Sequence, residues 1–141
     1  MRKTTILVLL LMCFSTSFGQ DFSTLKELKK LLCDTWQMSS VTAFDTYVRF
    51  NKEDGVNTIS FSKKGEVTVV DDVNELNVKG TWTYDFENNL LKISDLKEEG
   101  SDKVRVEAAE YKLTITENVQ LSLERVKGGF PATYTYSRVS K

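Results

Sequence analysis

The sequence predicts an all-β fold, an antiparallel up-and-down barrel of about eight strands preceded by a short N-terminal helix. Three observations carry this reading. Residues 57–94 alternate apolar and polar side chains in short runs, broken by Gly, Asn and Asp turn chemistry. Similar runs recur to the C-terminus every eight to twelve residues or so, and sequential hairpins without a long crossover favour a closed barrel over a sheet with open edges. Only residues 23–33, STLKELKKLLC, show convincing helical spacing.

In that segment Ser23 can accept a bond from an unpaired backbone N–H, and Leu25, Leu28, Leu31 and Leu32 share one face. A helix this short is marginal alone, so it must dock, and one end of a barrel supplies the surface. Strand signals begin at Trp36 and run to Phe44, with Trp36, Met38 and Phe44 on one face. Residues 46–50 continue that strand after a kink or open another, and residues 51–55, NKEDG, form a turn. Ile59 and Phe61 alternate with Thr58, Ser60 and Ser62, and Lys63-Lys64-Gly65 returns the chain into Val67–Val70.

The cleanest alternation follows, with Leu76, Val78, Gly80, Trp82 and Tyr84 against Asn77, Lys79, Thr81 and Thr83. Glu87-Asn88-Asn89 is the next turn, Leu91 and Ile93 mark a strand, and residues 95–103 are predicted as a charged loop bending at Gly100. Strands return at residues 104–116, 119–126 (Val119, Leu121 and Leu123 facing one way) and 132–139. The only proline, Pro131, falls with Gly128-Gly129 in the last loop, where it interrupts no ladder.

The first nineteen residues read as an export address. Arg2 and Lys3 precede an apolar run from Ile6 to Met12, then Ser17 and Gly19 offer small residues for cleavage after Gly19. The expectation is a signal peptide over 1–19, a single domain over 20–141, and a periplasmic or secreted protein with no transmembrane segment in the mature chain. Cys13 raises lipid anchoring as an alternative, disfavoured because Met12 and Phe14 replace the small residues such a signal needs. Cleavage takes two of the 19 basic residues, leaving 17 against 20 acids and a net charge of −3. That balance argues against nucleic acid and anionic membranes, which demand clustered Lys and Arg. Of the two cysteines only Cys33 would remain, so no intrachain disulfide can form, and beside Leu31 and Leu32 it reads as a small buried hydrophobe.

From Trp36 onward the chain resembles a family, the small lipocalin-like domain of secreted proteins from Bacteroidetes-type bacteria. Its pattern reads L-x-G-x-W, then I-x-F with a following Gly, then G-x-W-x-Y, ending on a Y-T-Y-like strand. The matching stretches are Leu32–Trp36, Ile59-Ser60-Phe61 with Gly65, Gly80-Thr81-Trp82-Thr83-Tyr84, and Tyr134-Thr135-Tyr136. The similarity spans about residues 31–139 and departs at Asp34, where the family has glycine. The resemblance implies a lipocalin-like barrel, an envelope setting, and structural roles for Trp36 and Arg138, the cation of the last strand covering the first-strand ring.

With no histidine in the chain, Ser-His-Asp and Cys-His nucleophilic systems and the usual zinc and haem ligand sets are absent. Glu53-Asp54-Gly55 and Glu98-Glu99-Gly100 lack the alternating oxygen ligands of a calcium loop, and the acids crowd into predicted turns. No catalytic residue, metal or cofactor is therefore assigned. Phe61, Trp82, Tyr84, Tyr111, Tyr134 and Tyr136 fall with Trp36 on the predicted inner face. These six either line a cavity or fill a small barrel, because eight strands enclose room for side chains or for one small ligand. The functional expectation is a non-enzymatic carrier of a small apolar ligand. The alternative is an interaction or structural module of the bacterial envelope with a filled core and a protein partner.

Overall fold

A computed structural model describes residues 23–50, 56–117 and 119–139. The predicted signal peptide with Cys13, and the predicted turn at 51–55, lie outside the described residues. Helix α1 (Leu25–Leu32) leads into strands β1 (Thr35–Ala43), β2 (Thr46–Arg49), β3 (Asn57–Phe61), β4 (Glu66–Asp71) and β5 (Leu76–Asp85). Strands β6 (Leu90–Glu98), β7 (Val104–Thr116), β8 (Gln120–Lys127) and β9 (Ala132–Arg138) complete the fold. Every pairing is antiparallel, from β1–β3 around to β8–β9, and β9 pairs back onto β1, closing an eight-stranded barrel. Strand β2 lies outside the closed ring, paired only with residues 40–43 of β1. Among the described residues no helix is long and apolar enough to cross a membrane.

The helix starts one residue later than the predicted cap at Ser23 places it. Thr24, not Ser23, is the N-cap, its hydroxyl accepting from the Glu27 N–H at 3.2 Å. Ser23 instead donates its own N–H and hydroxyl to the Glu27 carboxylate, and these bonds hold that carboxyl below its ordinary range. Leu28 and Leu32 are fully buried against the barrel end, whereas Leu25 is exposed.

Two further departures have local causes. Phe44 does not belong to the first strand. Phe44 and Asp45 both take positive φ (50° and 62°), a two-residue hairpin turn whose twist suits the strands β1 and β2 it joins. Residues 95–98 are strand, not loop, because Asp95 takes φ 58° in a bulge and the ladder resumes beyond it. Gly80 faces that bulge on β5. A Cβ there would stand 2.4 Å from the Ser94 carbonyl oxygen, so only glycine lets the two backbones pass.

The turns after β4 and β5 are one device used twice. Asp71 accepts from the N–H groups of Val73 and Asn74 and from the Asn74 side chain; Asp85 does the same with Glu87 and Asn88. Each turn ends on a non-glycine residue at positive φ, Glu75 or Asn89. The asparagine side-chain bonds are the main reason both carboxyls titrate below their ordinary range.

Because the nearest contact of that Cβ is the Ser94 backbone oxygen, no side-chain rotation relieves the clash. Gly80→Ala is expected to cost about 1–3 kcal/mol in urea unfolding, with an unchanged far-ultraviolet spectrum at low denaturant.

Candidate ligand-binding site

The two ends of the barrel differ. At one end α1 covers the opening, and the interior beneath it is solid. Leu28, Leu32, Trp36, Val67, Leu91, Ile115 and Leu121 are fully buried there. Each tryptophan also ties down a closing element. The Trp36 indole N–H donates to the Leu32 carbonyl at 2.9 Å, and the Trp82 N–H donates to the Ser62 carbonyl at 3.0 Å in the β3–β4 hairpin.

Arg138 completes this closure. Its guanidinium lies 4.4 Å from the Trp36 ring centroid, donates to the Leu31 carbonyl at 2.7 Å, and pairs with Asp34 at 2.6 Å. Two carbonyls of the last helical turn, which have no partner inside the helix, are thereby satisfied by Trp36 and Arg138. The Asp34 carboxylate anchors Arg138 and also accepts from the Thr35 N–H at 2.8 Å. Cys33 follows as the helix C-cap, half-buried against the core, and desolvation pushes its thiol up despite Lys29 and Lys63 nearby.

Toward the other end the interior opens into a cavity of about 200 Å³ to which every strand of the closed barrel contributes. Its apolar wall is Met38, Ile59, Val69, Leu76, Ile93, Leu96 and Leu123; its polar groups are Asn57, Asp71, Tyr111, Arg125, Tyr134 and Tyr136. Larger hollows lie outside the barrel, such as one between α1 and Lys63, where the chemistry is that of solvated lysines. The internal cavity differs in being walled by inward-facing side chains.

Of the predicted inner-face aromatics, Tyr111, Tyr134 and Tyr136 stand around this cavity. Phe61 and Trp82 sit in the solid half, edge to face with centroids 6.0 Å apart. Tyr84 is half-buried and packs on Phe86 beside the same end, 4.8 Å between centroids. Val119, expected on an inner face, is exposed in the turn before β8.

The apolar wall and the polar residues Asn57, Asp71 and Arg125 are not among the expected cavity residues. Arg125 follows Leu121 and Leu123 at period 2 on β8, so parity alone puts it inside; a charged residue near a strand end reads instead as solvent-facing. Its guanidinium stacks on the rings of Tyr111 and Tyr134, 5.7 and 5.2 Å from their centroids, with Nη2 3.5 Å from the Tyr111 hydroxyl. A bulge places Val126 as the extra residue opposite Glu110 and Tyr111, and two glycines then carry the chain over the cluster. A Cβ on Gly128, which has φ 92°, would stand 2.3 Å from the Ala108 carbonyl oxygen, and one on Gly129 would meet Arg125 Nη1 at 2.7 Å. Among the described residues the buried Arg125 Nε and Asn57 Oδ1 have no hydrogen-bond partner.

Comparison with known proteins gives no match: no protein-family model and no curated protein is significantly similar to the chain. The functional reading therefore rests on the barrel and on the chemistry inside it.

Removing the Arg138 side chain takes the guanidinium away from Asp34, leaves the Trp36 ring face uncovered and opens the Leu31 carbonyl. Arg138→Met is expected to destabilise the protein by about 2–4 kcal/mol in chemical denaturation. A second expectation concerns Tyr136, whose hydroxyl is driven above its ordinary value of 10.0, first by burial and then by Tyr111 and Tyr134. A raised folded-state value means the stabilising contribution is complete below pH 10 and is lost as the pH climbs beyond it, since the unfolded chain ionises first. Tyr136→Phe should flatten this alkaline loss of stability, followed by unfolding midpoints together with tyrosinate absorbance.

Proposed function

We propose that the protein is an exported, non-enzymatic, lipocalin-like carrier that takes a small, largely apolar ligand into the open half of its barrel. The observation that carries this reading is the internal cavity of about 200 Å³, walled by seven apolar side chains and three tyrosines. An apolar cavity of about 150 Å³ holds benzene, so this one suits a body of roughly one aromatic ring or a short chain. The solid half supports the same reading, because a rigid, plugged end lets the other end remain under-filled without collapse. The export address over residues 1–19 and the lipocalin-like motif order supply the setting.

A second reading, an interaction module, has one observation in its favour. The open end carries exposed apolar residues, among them Phe44, Tyr47, Val48 and Phe130, and the rings of Phe44 and Phe130 touch at 5.6 Å. Such a rim serves equally as an entrance for an apolar ligand, and the carrier reading accounts for both the rim and the cavity.

Isothermal titration with ring-sized apolar probes is the direct test. Saturable binding with a raised melting temperature is expected for the intact protein. In Val69→Phe, which fills the cavity from β4, binding should be lost while the protein still unfolds cooperatively. Binding that survives Val69→Phe, or that never saturates, would remove the cavity as the site.

A further inference from the structure

We propose that the ligand is a monocarboxylate, and that Arg125, with the Tyr111 hydroxyl beside it, receives its carboxylate inside the barrel. This rests on the carrier reading and specifies the chemistry of the same cavity. Three features of the cavity lead to it.

The first is a charge without a counter-charge. Arg125 is half-buried with its Nε sealed from solvent, and a guanidinium drawn even partly out of water is costly unless its charge is paired and its donors are used. Around Arg125 in the cavity wall stand Tyr111, Tyr134 and Tyr136, which offer it ring faces and a hydroxyl but no carboxylate. The one carboxylate lining the cavity, Asp71, has both oxygens engaged by its own turn, with Val73 and Asn74. Among the described residues no acid is in salt-bridge contact with Arg125, whereas Arg138, at the other end, has Asp34.

The second is a donor left unspent. Arg125 Nε is buried with no partner, and Nη2 makes only the long 3.5 Å contact to the Tyr111 hydroxyl. In a guanidinium these two nitrogens share one edge, and that edge is the fork that matches the two oxygens of a carboxylate. A carboxylate seated there accepts from Nε and Nη2, and the Tyr111 hydroxyl can donate to the same oxygen as Nη2.

The third is that the position is built. The strand bulges at Val126, and the turn beyond it leaves no room for a side chain: a Cβ on Gly128 would meet the Ala108 carbonyl oxygen, and one on Gly129 would stand 2.7 Å from the guanidinium Nη1. The two tyrosine rings fix its plane. The apolar wall opposite, with Val69, Ile59 and Ile93, then takes the body of the acid. From the cavity volume that body is about the size of a single aromatic ring or a short acyl chain.

The test compares acids with neutral analogues of the same shape: phenylacetate against phenylacetamide, and hexanoate against hexanol, titrated calorimetrically into the intact protein near neutral pH. Each acid is expected to bind at least about tenfold more tightly than its analogue, the scale of a charge-assisted bond over a neutral one. Arg125→Met should erase that preference while retaining binding of the neutral compounds, and Arg125→Lys should restore part of it. Equal affinity for acid and analogue, or undiminished acid binding by Arg125→Met, would overturn the proposal and leave the carrier reading standing. Absence of binding by all four compounds, with Val69→Phe indistinguishable from the parent protein, would overturn both.

Discussion

The architecture depends on one charged contact at the closed end of the barrel. Arg138 lies on the last strand and Trp36 on the first, and they are cross-strand partners in the pairing that closes the ring. The same guanidinium reaches the helix end at Leu31 and the carboxylate of Asp34, so a single side chain joins the two chain-distant strands to the plug. The contact spans more than a hundred residues of sequence, and its entropic cost of closure is high compared with any hairpin in the fold. A stacked, bidentate-capable cation held at 2.6–2.7 Å by two oxygens is the kind of contact that can offset it. Lysine at this position would supply the charge but neither the planar stacking nor the fork.

That closure divides the interior into two regions with different rules. Near α1 the side chains are large and apolar, and both indole N–H groups are satisfied by backbone carbonyls, so the packing leaves no polar group to solvate. Farther up, tyrosines, an asparagine and an arginine replace them. The change in polarity comes about halfway along the strands, and bulges accompany it at Met38/Ser40, Lys79/Thr81, Leu96/Lys97 and Glu110/Tyr111. Each adds twist and bends its strand, which flares the open half away from the tight packing of the closed one.

Strand alternation made most of this fold legible in the sequence. Period 2 placed Ile59, Phe61, Trp82, Leu91, Tyr111 and Tyr136 on the inside without any structure, because one face of every strand had to be buried. Bulges are what alternation cannot see. Asp95 at positive φ let β6 run through a charged stretch that reads as loop, and Val126 is an extra residue in β8 that period 2 does not show. The sorting of aromatics between packing and cavity was illegible for another reason. Phe61 and Tyr111 obey the same parity, and only their height along the barrel axis, set by register and by the depth of the helix plug, separates core from cavity wall. Arg125 was legible by parity and hidden by composition.

That concealment bears on what the open half is for. Every other inward position of β8 carries leucine, and a leucine at 125 would pack against Tyr111 and Tyr134 without any desolvation cost. A cation in its place lowers stability unless its interactions return the cost, and stacking on two rings returns only about 0.5–2 kcal/mol each. Departures of this kind from otherwise consistent local rules gather where a protein does something other than fold. The closed half contains the same residue type used for structure, with every requirement met by Asp34, Trp36 and Leu31. Two arginines lie at opposite ends of one barrel, one ion-paired with Asp34 and one without an acid in contact among the described residues, and the contrast between them separates the packed half that holds the fold from the half that encloses the cavity.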